Sequence, residues 1–135
     1  MKKEEVTKVM SDYGFVNGRV TTTGETFQIG YWEYPELNGK GERLVLEVNA
    51  CYNVESPHSL PVLWFKNGWT DRLILDYWSV RPFVYDKDGN CYGRYDFTKL
   101  SEDGLRRVID FDWVLEVTAE NLEKMVKEIL RRFNN

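Results

Sequence analysis

Hydrophobic and polar positions along this 135-residue chain follow two periods, and the change from one to the other is sharpest near its end. Ile109, Phe111, Trp113, Leu115 and Val117 alternate with Asp110, Asp112, Val114 and Glu116, the two-residue period of a half-buried strand. Directly after it, Leu122, Met125, Val126, Ile129, Leu130 and Phe133 recur at steps of three and four, which predicts a long helix with one apolar stripe. Thr118 stands at the N-cap position, Glu120 in the first turn, and Arg131 and Arg132 in the last, so the charges complement the helix dipole at both ends. Glu120–Lys124, Glu123–Lys127 and Glu128–Arg132 are acid-first pairs four apart, each adding about 0.3 kcal/mol on a solvent face. Trp113 is expected between the sheet and this helix.

Earlier in the chain, Val6, Val9, Met10 and Tyr13 share a helical face, and Gly14 follows where a helix most often stops. Asn17-Gly18 reads as a turn, Val20–Thr22 as a short strand, and Thr26–Tyr34 as a strand with Phe27, Ile29 and Tyr31 on one face. Pro35–Glu42 is a loop. Leu44, Leu46, Val48, Ala50, Tyr52 and Val54 then alternate with Arg43, Glu47, Asn49 and Asn53, the cleanest long strand of the chain. Val62–Lys66 and Trp69–Leu75 flank Asn67-Gly68, a strong hairpin signal. Tyr77–Tyr85 and Cys91–Phe97 flank a second turn, Asp86–Asn90. Pro82 marks the first of these two strands as an edge or a bulge. Ser101-Glu102-Asp103 suits the start of a short helical turn.

The fold expected from this pattern is α+β: an antiparallel meander of about six or seven strands, a short N-terminal helix, and a long C-terminal amphipathic helix packed on the sheet. Nothing divides the chain, so residues 1–135 are read as one domain.

Composition narrows the function classes. Hydrophobic residues make up 42% and charged residues 30%, a globular balance. The net charge of −4 argues against a protein whose affinity comes from neutralising phosphates, so no nucleic-acid partner is expected. Met1–Met10 is charged and no segment has the length of a membrane span, so the reading is a cytoplasmic chain with no membrane partner. Acids gather in residues 86–120, nine against five bases, which suits a basic partner. Cys51 and Cys91 form no CxxC and have no nearby histidines, and they read as small buried thiols rather than zinc ligands or a disulfide.

Candidate chemistry is sparse. Asp110, Asp112 and Glu116 project from one strand face at spacings of about 6–7 Å, which admits a metal-assisted hydrolase or nuclease. Alternation alone also predicts polar residues there, and no lysine stands where a metal-nuclease motif needs one. Asp86, Asp88 and Asn90 imitate the start of an EF-hand loop, but Cys91 and Phe97 occupy the positions that need Gly and Glu. His58, the one histidine, sits between Pro57 and Ser59 in a loop, a poor setting for an aligned base. No cofactor, catalytic residue or metal ligand is assigned.

The feature that points furthest is an aromatic excess of 15%, with five Trp and eight Tyr. On Tyr77–Tyr85, one face carries Trp78, Val80, Pro82 and Val84, and the other Tyr77, Ser79, Arg81, Phe83 and Tyr85. Either the N-terminal helix or a loop covers the second face, or Tyr77, Arg81, Phe83 and Tyr85 form a binding surface, since Tyr and Arg anchor protein interfaces. The expected function is a small protein-binding or regulatory accessory module without catalysis, its partner a different protein or a second copy. A domain stacking a small ligand on its aromatics is the remaining alternative.

Overall fold

The computed structural model describes residues 1–55, 74–94 and 117–135, with backbone alone at 54–55, 74–75, 77 and 92–94. In chain order these are helix α1 (Lys3–Asp12), strands β1 (Val16–Thr23), β2 (Thr26–Glu33), β3 (Arg43–Glu55), β4 (Ile74–Tyr85) and β5 (Cys91–Arg94), and helix α2 (Ala119–Phe133). The strands form one antiparallel sheet in the order β1-β2-β3-β4-β5. The α+β class and the meander are as the periodicity predicts. The strand count is lower: five among the described residues rather than six or seven. The expected strand Val62–Lys66, the Asn67-Gly68 turn, His58, the turn near Ser101, and Ile109–Glu116 with Trp113 lie outside the described residues.

One face of the sheet carries the core. Phe27 and Trp32 of β2, Leu44, Leu46, Val48 and Ala50 of β3, and Trp78, Val80 and Val84 of β4 are all buried. They pack with Val6, Val9 and Met10 of α1 and Leu122, Met125, Val126, Ile129 and Phe133 of α2 in a single cluster. Both helices therefore lie on the same side, each burying the stripe that its sequence sets at three- and four-residue steps. Trp32 lies flat against the backbone of β1 and β2. A Cβ on Gly18 would meet its Nε1 at 2.4 Å, and one on Gly30 would meet two of its ring carbons at 2.5 Å. Only glycine leaves room for the indole there.

The helix ends explain how the layers are held. α1 stops at Gly14, which has φ +85°; the Gly14 N–H donates to Ser11 C=O and the Phe15 N–H to Met10 C=O, both at 3.0 Å. This paired arrangement satisfies the last carbonyls of the helix and turns Phe15 into the core beside Met10. At α2, Thr118 Oγ1 accepts from the Asn121 N–H at 3.2 Å, as an N-cap should. The Thr118 carbonyl accepts twice, from the Leu122 N–H at 3.1 Å and from Trp78 Nε1–H at 2.9 Å. At the other end, Asn38 Nδ2 donates to the Phe133 carbonyl at 2.9 Å, while its Oδ1 accepts from the Lys40 and Glu42 N–H groups. The β2–β3 loop is thus folded on the side chain that also caps α2.

Several local expectations are corrected, and β-bulges account for three of them. Asn17-Gly18 is no turn: it lies inside β1, where the register with β2 shifts between Val16 and Arg19 and Asn17 takes φ 56°. A second shift, at Gln28, leaves Phe27 in the core while Ile29 and Tyr31 take the opposite face. The third, on β3 between Cys51 and Val54, places Asn53 at φ 53°. Its N–H, turned out of the ladder, donates to Asp76 Oδ1 at 2.9 Å. Asp76 therefore belongs inside a strand that continues past it, and Leu75 and Tyr77 are not on separate strands.

Pro82 does not mark an edge, because β4 lies between β3 and β5. It pairs with Leu46 and sits just before the irregular pairing of Phe83 and Tyr85 with β5, a place where a missing N–H is tolerated. Cys51 and Cys91 are thiols as expected, but Cys51 is half-buried and Cys91 exposed, so neither is a core residue. Of the three acid-first helix pairs only Glu128–Arg132 closes, with Arg132 Nε 2.7 Å from Glu128 Oε1. Lys127 instead lies 6.0 Å from the Tyr13 ring, bridging the two helices.

Two predictions follow from these contacts. Trp78→Ala should cost about 3–5 kcal/mol in urea denaturation, from lost volume and the lost indole hydrogen bond to Thr118, and Trp78→Phe about half of that. Glu128 is held down at about 2, first by the hydrogen bond from Arg131, with burial opposing and Arg132 adding to it. A depressed carboxyl contributes stability above its ordinary value of 4.5 and loses it as pH falls towards 2. Glu128→Gln should therefore cost about 1 kcal/mol at pH 7, a modest figure because Arg131 is largely in solvent, and progressively less as pH falls from 4.5 towards 2.

Candidate functional site

With α1 and α2 on one side, the other face of the sheet carries the residues left over by strand alternation, and these are not a random polar set. One row crosses four strands in register: Arg19 on β1 is opposite Tyr31 on β2, Tyr31 opposite Glu47 on β3, and Glu47 opposite Arg81 on β4. Each neighbour touches the next. The Arg19 guanidinium lies 5.8 Å from the Tyr31 ring centroid, Tyr31 Oη–H donates to Glu47 Oε1 at 3.1 Å, and Arg81 Nε stands 3.8 Å from Glu47 Oε2. Cross-strand pairs of this kind are the unit by which a sheet face is stabilised.

The next rows are apolar and then aromatic. Val45 pairs with Phe83, and Glu33, opposite Val45, accepts from Asn17 Nδ2 at 2.9 Å. Arg43 pairs with Tyr85, its guanidinium 4.6 Å from the ring centroid. Ile29, Tyr31, Val45, Phe83 and Tyr85 are all half-buried, whereas Arg19, Arg43 and Arg81 are exposed.

Of the four residues expected to form a binding surface, Arg81, Phe83 and Tyr85 share this face; the side chain of Tyr77 lies outside the described residues, although its backbone pairs with Cys51. The N-terminal helix does not cover them, because Val6, Val9 and Met10 of α1 belong to the core on the opposite face. Arg81 is drawn to Glu47, and the arginine stacked on Tyr85 is Arg43. Sequence reading missed Arg19, Tyr31, Arg43, Val45 and Glu47. Their alternation within single strands was visible, but only the register brings them beside Arg81 and Phe83.

The other candidates recede or fall outside the description. Asp110, Asp112 and Glu116 lie outside the described residues. Asp86 spends Oδ1 on the N–H groups of Asp88 and Asn90 at 2.9 and 2.8 Å, and Gly89 takes φ +83°, so this stretch is the β4–β5 hairpin turn. Among the described residues no group of three or more His, Cys, Asp or Glu side chains is placed to hold a metal ion, and no helix is long and apolar enough to cross a membrane. Stacking of a ligand on the tyrosines meets a competitor, since one ring face of Tyr31 and one of Tyr85 already carry a guanidinium. Compared with protein families, curated proteins and solved structures, the chain matches none.

The centre of the row has a measurable signature. The hydrogen bond to Glu47, followed by the charge of Glu47, raises the Tyr31 phenol above its ordinary value of 10.0. Burial, followed by the charge of Asp76, raises the Tyr52 phenol as well, so in an ultraviolet titration of tyrosinate both should ionise later than a free phenol, and Glu47→Gln should bring the Tyr31 step back while leaving that of Tyr52 in place.

Proposed function

We propose that this chain is a small protein-binding or regulatory module without catalysis, whose contact surface is the sheet face opposite the helices. The observation that supports this reading is the Arg19–Tyr31–Glu47–Arg81 row beside Val45 and Phe83. Arg and Tyr are the residue types most enriched at interface hot spots, and here they surround an apolar pair at the middle of the face. Side chains that already hold one another lose little rotamer freedom when a partner arrives. The partner in this reading is a protein, and neither a nucleic acid nor a membrane. Two cysteines kept as thiols, one exposed, suit a reducing cytoplasm.

The test compares surfaces rather than presence or absence of binding. Wild type, Phe83→Glu on the outer sheet face, and Lys124→Glu on the solvent side of α2 are each checked for unchanged circular dichroism and used to capture partners from cell extract. Proteins retained by wild type and Lys124→Glu should be lost with Phe83→Glu. Recovery of the same set by all three would overturn the reading.

A further inference from the structure

Among its described residues the outer face carries an excess of positive charge, and the way its charged groups are committed points to what it binds. Three guanidiniums, Arg19, Arg43 and Arg81, share it with two described carboxylates, Glu33 and Glu47, inside a chain whose net charge is −4. Both carboxylates already accept a hydrogen bond, from Asn17 and from Tyr31. The arginines are less committed. Arg19 and Arg43 lie over tyrosine rings and spend no guanidinium donor on a hydrogen bond or ion pair among the described residues, and Arg81 is 47% exposed with its ion pair stretched to 3.8 Å.

Resting on the binding reading above, we infer that the partner is an acidic polypeptide segment, bound in extended form across β3 and β4. Register sets the spacing. Arg81 and Tyr85 are four residues apart on β4, Arg43 is opposite Tyr85, and Phe83 with Val45 lies midway. Four residues of strand span about 13 Å, so a segment with carboxylates at positions i and i+4 and a large apolar side chain at i+2 meets Arg81, the Val45–Phe83 pair and Arg43 in turn. A second copy of the chain docked face to face is disfavoured, because two-fold symmetry presents the same arginines to one another. A nucleic acid would bring the same negative charge, but it binds by stacking bases on ring faces that Arg19 and Arg43 occupy here.

The experiment uses the full chain and three labelled probes at low salt, read by fluorescence anisotropy and by amide shifts in NMR. The probes are a peptide with the core Glu-Ala-Phe-Ala-Glu, its counterpart Lys-Ala-Phe-Ala-Lys, and a single-stranded RNA decamer. The acidic peptide should bind at least tenfold more tightly than either of the others, shift the amides of β3 and β4, and weaken as salt is added. R43Q/R81Q should lose at least tenfold in affinity at unchanged circular dichroism, and R43E/R81E should prefer the basic peptide. Preference for the basic peptide or RNA by wild type, no binding of the acidic peptide at millimolar concentration, or binding that R43Q/R81Q leaves intact would overturn the inference. So would a rise in sedimentation coefficient with concentration that Phe83→Glu abolishes, since the occupant would then be a second copy. A natural partner that is lost with Phe83→Glu but kept by R43Q/R81Q would sink the acidic-segment inference alone and leave the binding face standing.

Discussion

The bond from the Trp78 indole to the Thr118 carbonyl is the constraint from which the two-layer arrangement follows. Trp78 is 1% exposed, and a buried indole N–H without an acceptor costs roughly 1–3 kcal/mol. Most backbone carbonyls near it are committed to the ladders of β3 and β4. A helix N-cap carbonyl has a second lone pair to give, and Thr118 gives it while still starting the helix through Leu122. The start of α2 is thereby placed over β4. Its far end is fixed by Asn38 on the β2–β3 loop. A helix of fifteen residues is about 22 Å long, so the two anchors lay its apolar stripe across the sheet. Phe27, with its ring 6.1 Å from those of both Trp32 and Trp78, sits at the centre of what is covered.

Much of this was legible in the sequence because it is local. The stripe of α2, the Thr118 cap, the stop at Gly14, the alternation of β3 and the turn at Asp86–Asn90 each depend on residues within a few positions of one another. The division of β4 into a face with Trp78, Val80, Pro82 and Val84 and a face with Arg81, Phe83 and Tyr85 was legible for the same reason. Bulges were not. One extra residue at Gln28 turns Phe27 away from Ile29 and Tyr31, and strict alternation has no way to anticipate it. Asn17-Gly18 misleads more directly, because the left-handed conformation that a hairpin turn requires is the one a bulge requires too.

The outer face shows where local reading stops. Arg81, Phe83 and Tyr85 announce themselves on one strand, but the groups they work with come from positions 19, 31, 43, 45 and 47. Pairing register, a tertiary property, decides which residue of β3 stands opposite Arg81. Had β3 slipped by one residue, Glu47 would face the core and Leu46 the solvent, so the burial of Leu44, Leu46 and Val48 on one side sets the ion pair on the other. The polar row is in this sense a consequence of the apolar core, transmitted through the thickness of a single sheet.

That coupling bears on how the face would take up the proposed partner. A guanidinium lying over a tyrosine is held there without spending its hydrogen-bond donors, so Arg19 and Arg43 would keep those donors for the proposed partner. Arg81 is in a different state: at 3.8 Å and 47% exposure its contact with Glu47 is a solvent-screened pair, worth little by itself. Exchanging that contact for a carboxylate of the proposed partner would therefore cost little. Glu47 is not stranded by the exchange, because Tyr31 still donates to it. The phenol thus does more than decorate the row: it lets the central carboxylate stay satisfied whether Arg81 turns inward to Glu47 or outward to a ligand. The apolar pair beneath, Val45 and Phe83, is meanwhile held by a sheet whose reverse side is packed on Trp78 and Leu46, so an incoming side chain meets a floor that does not have to reorganise.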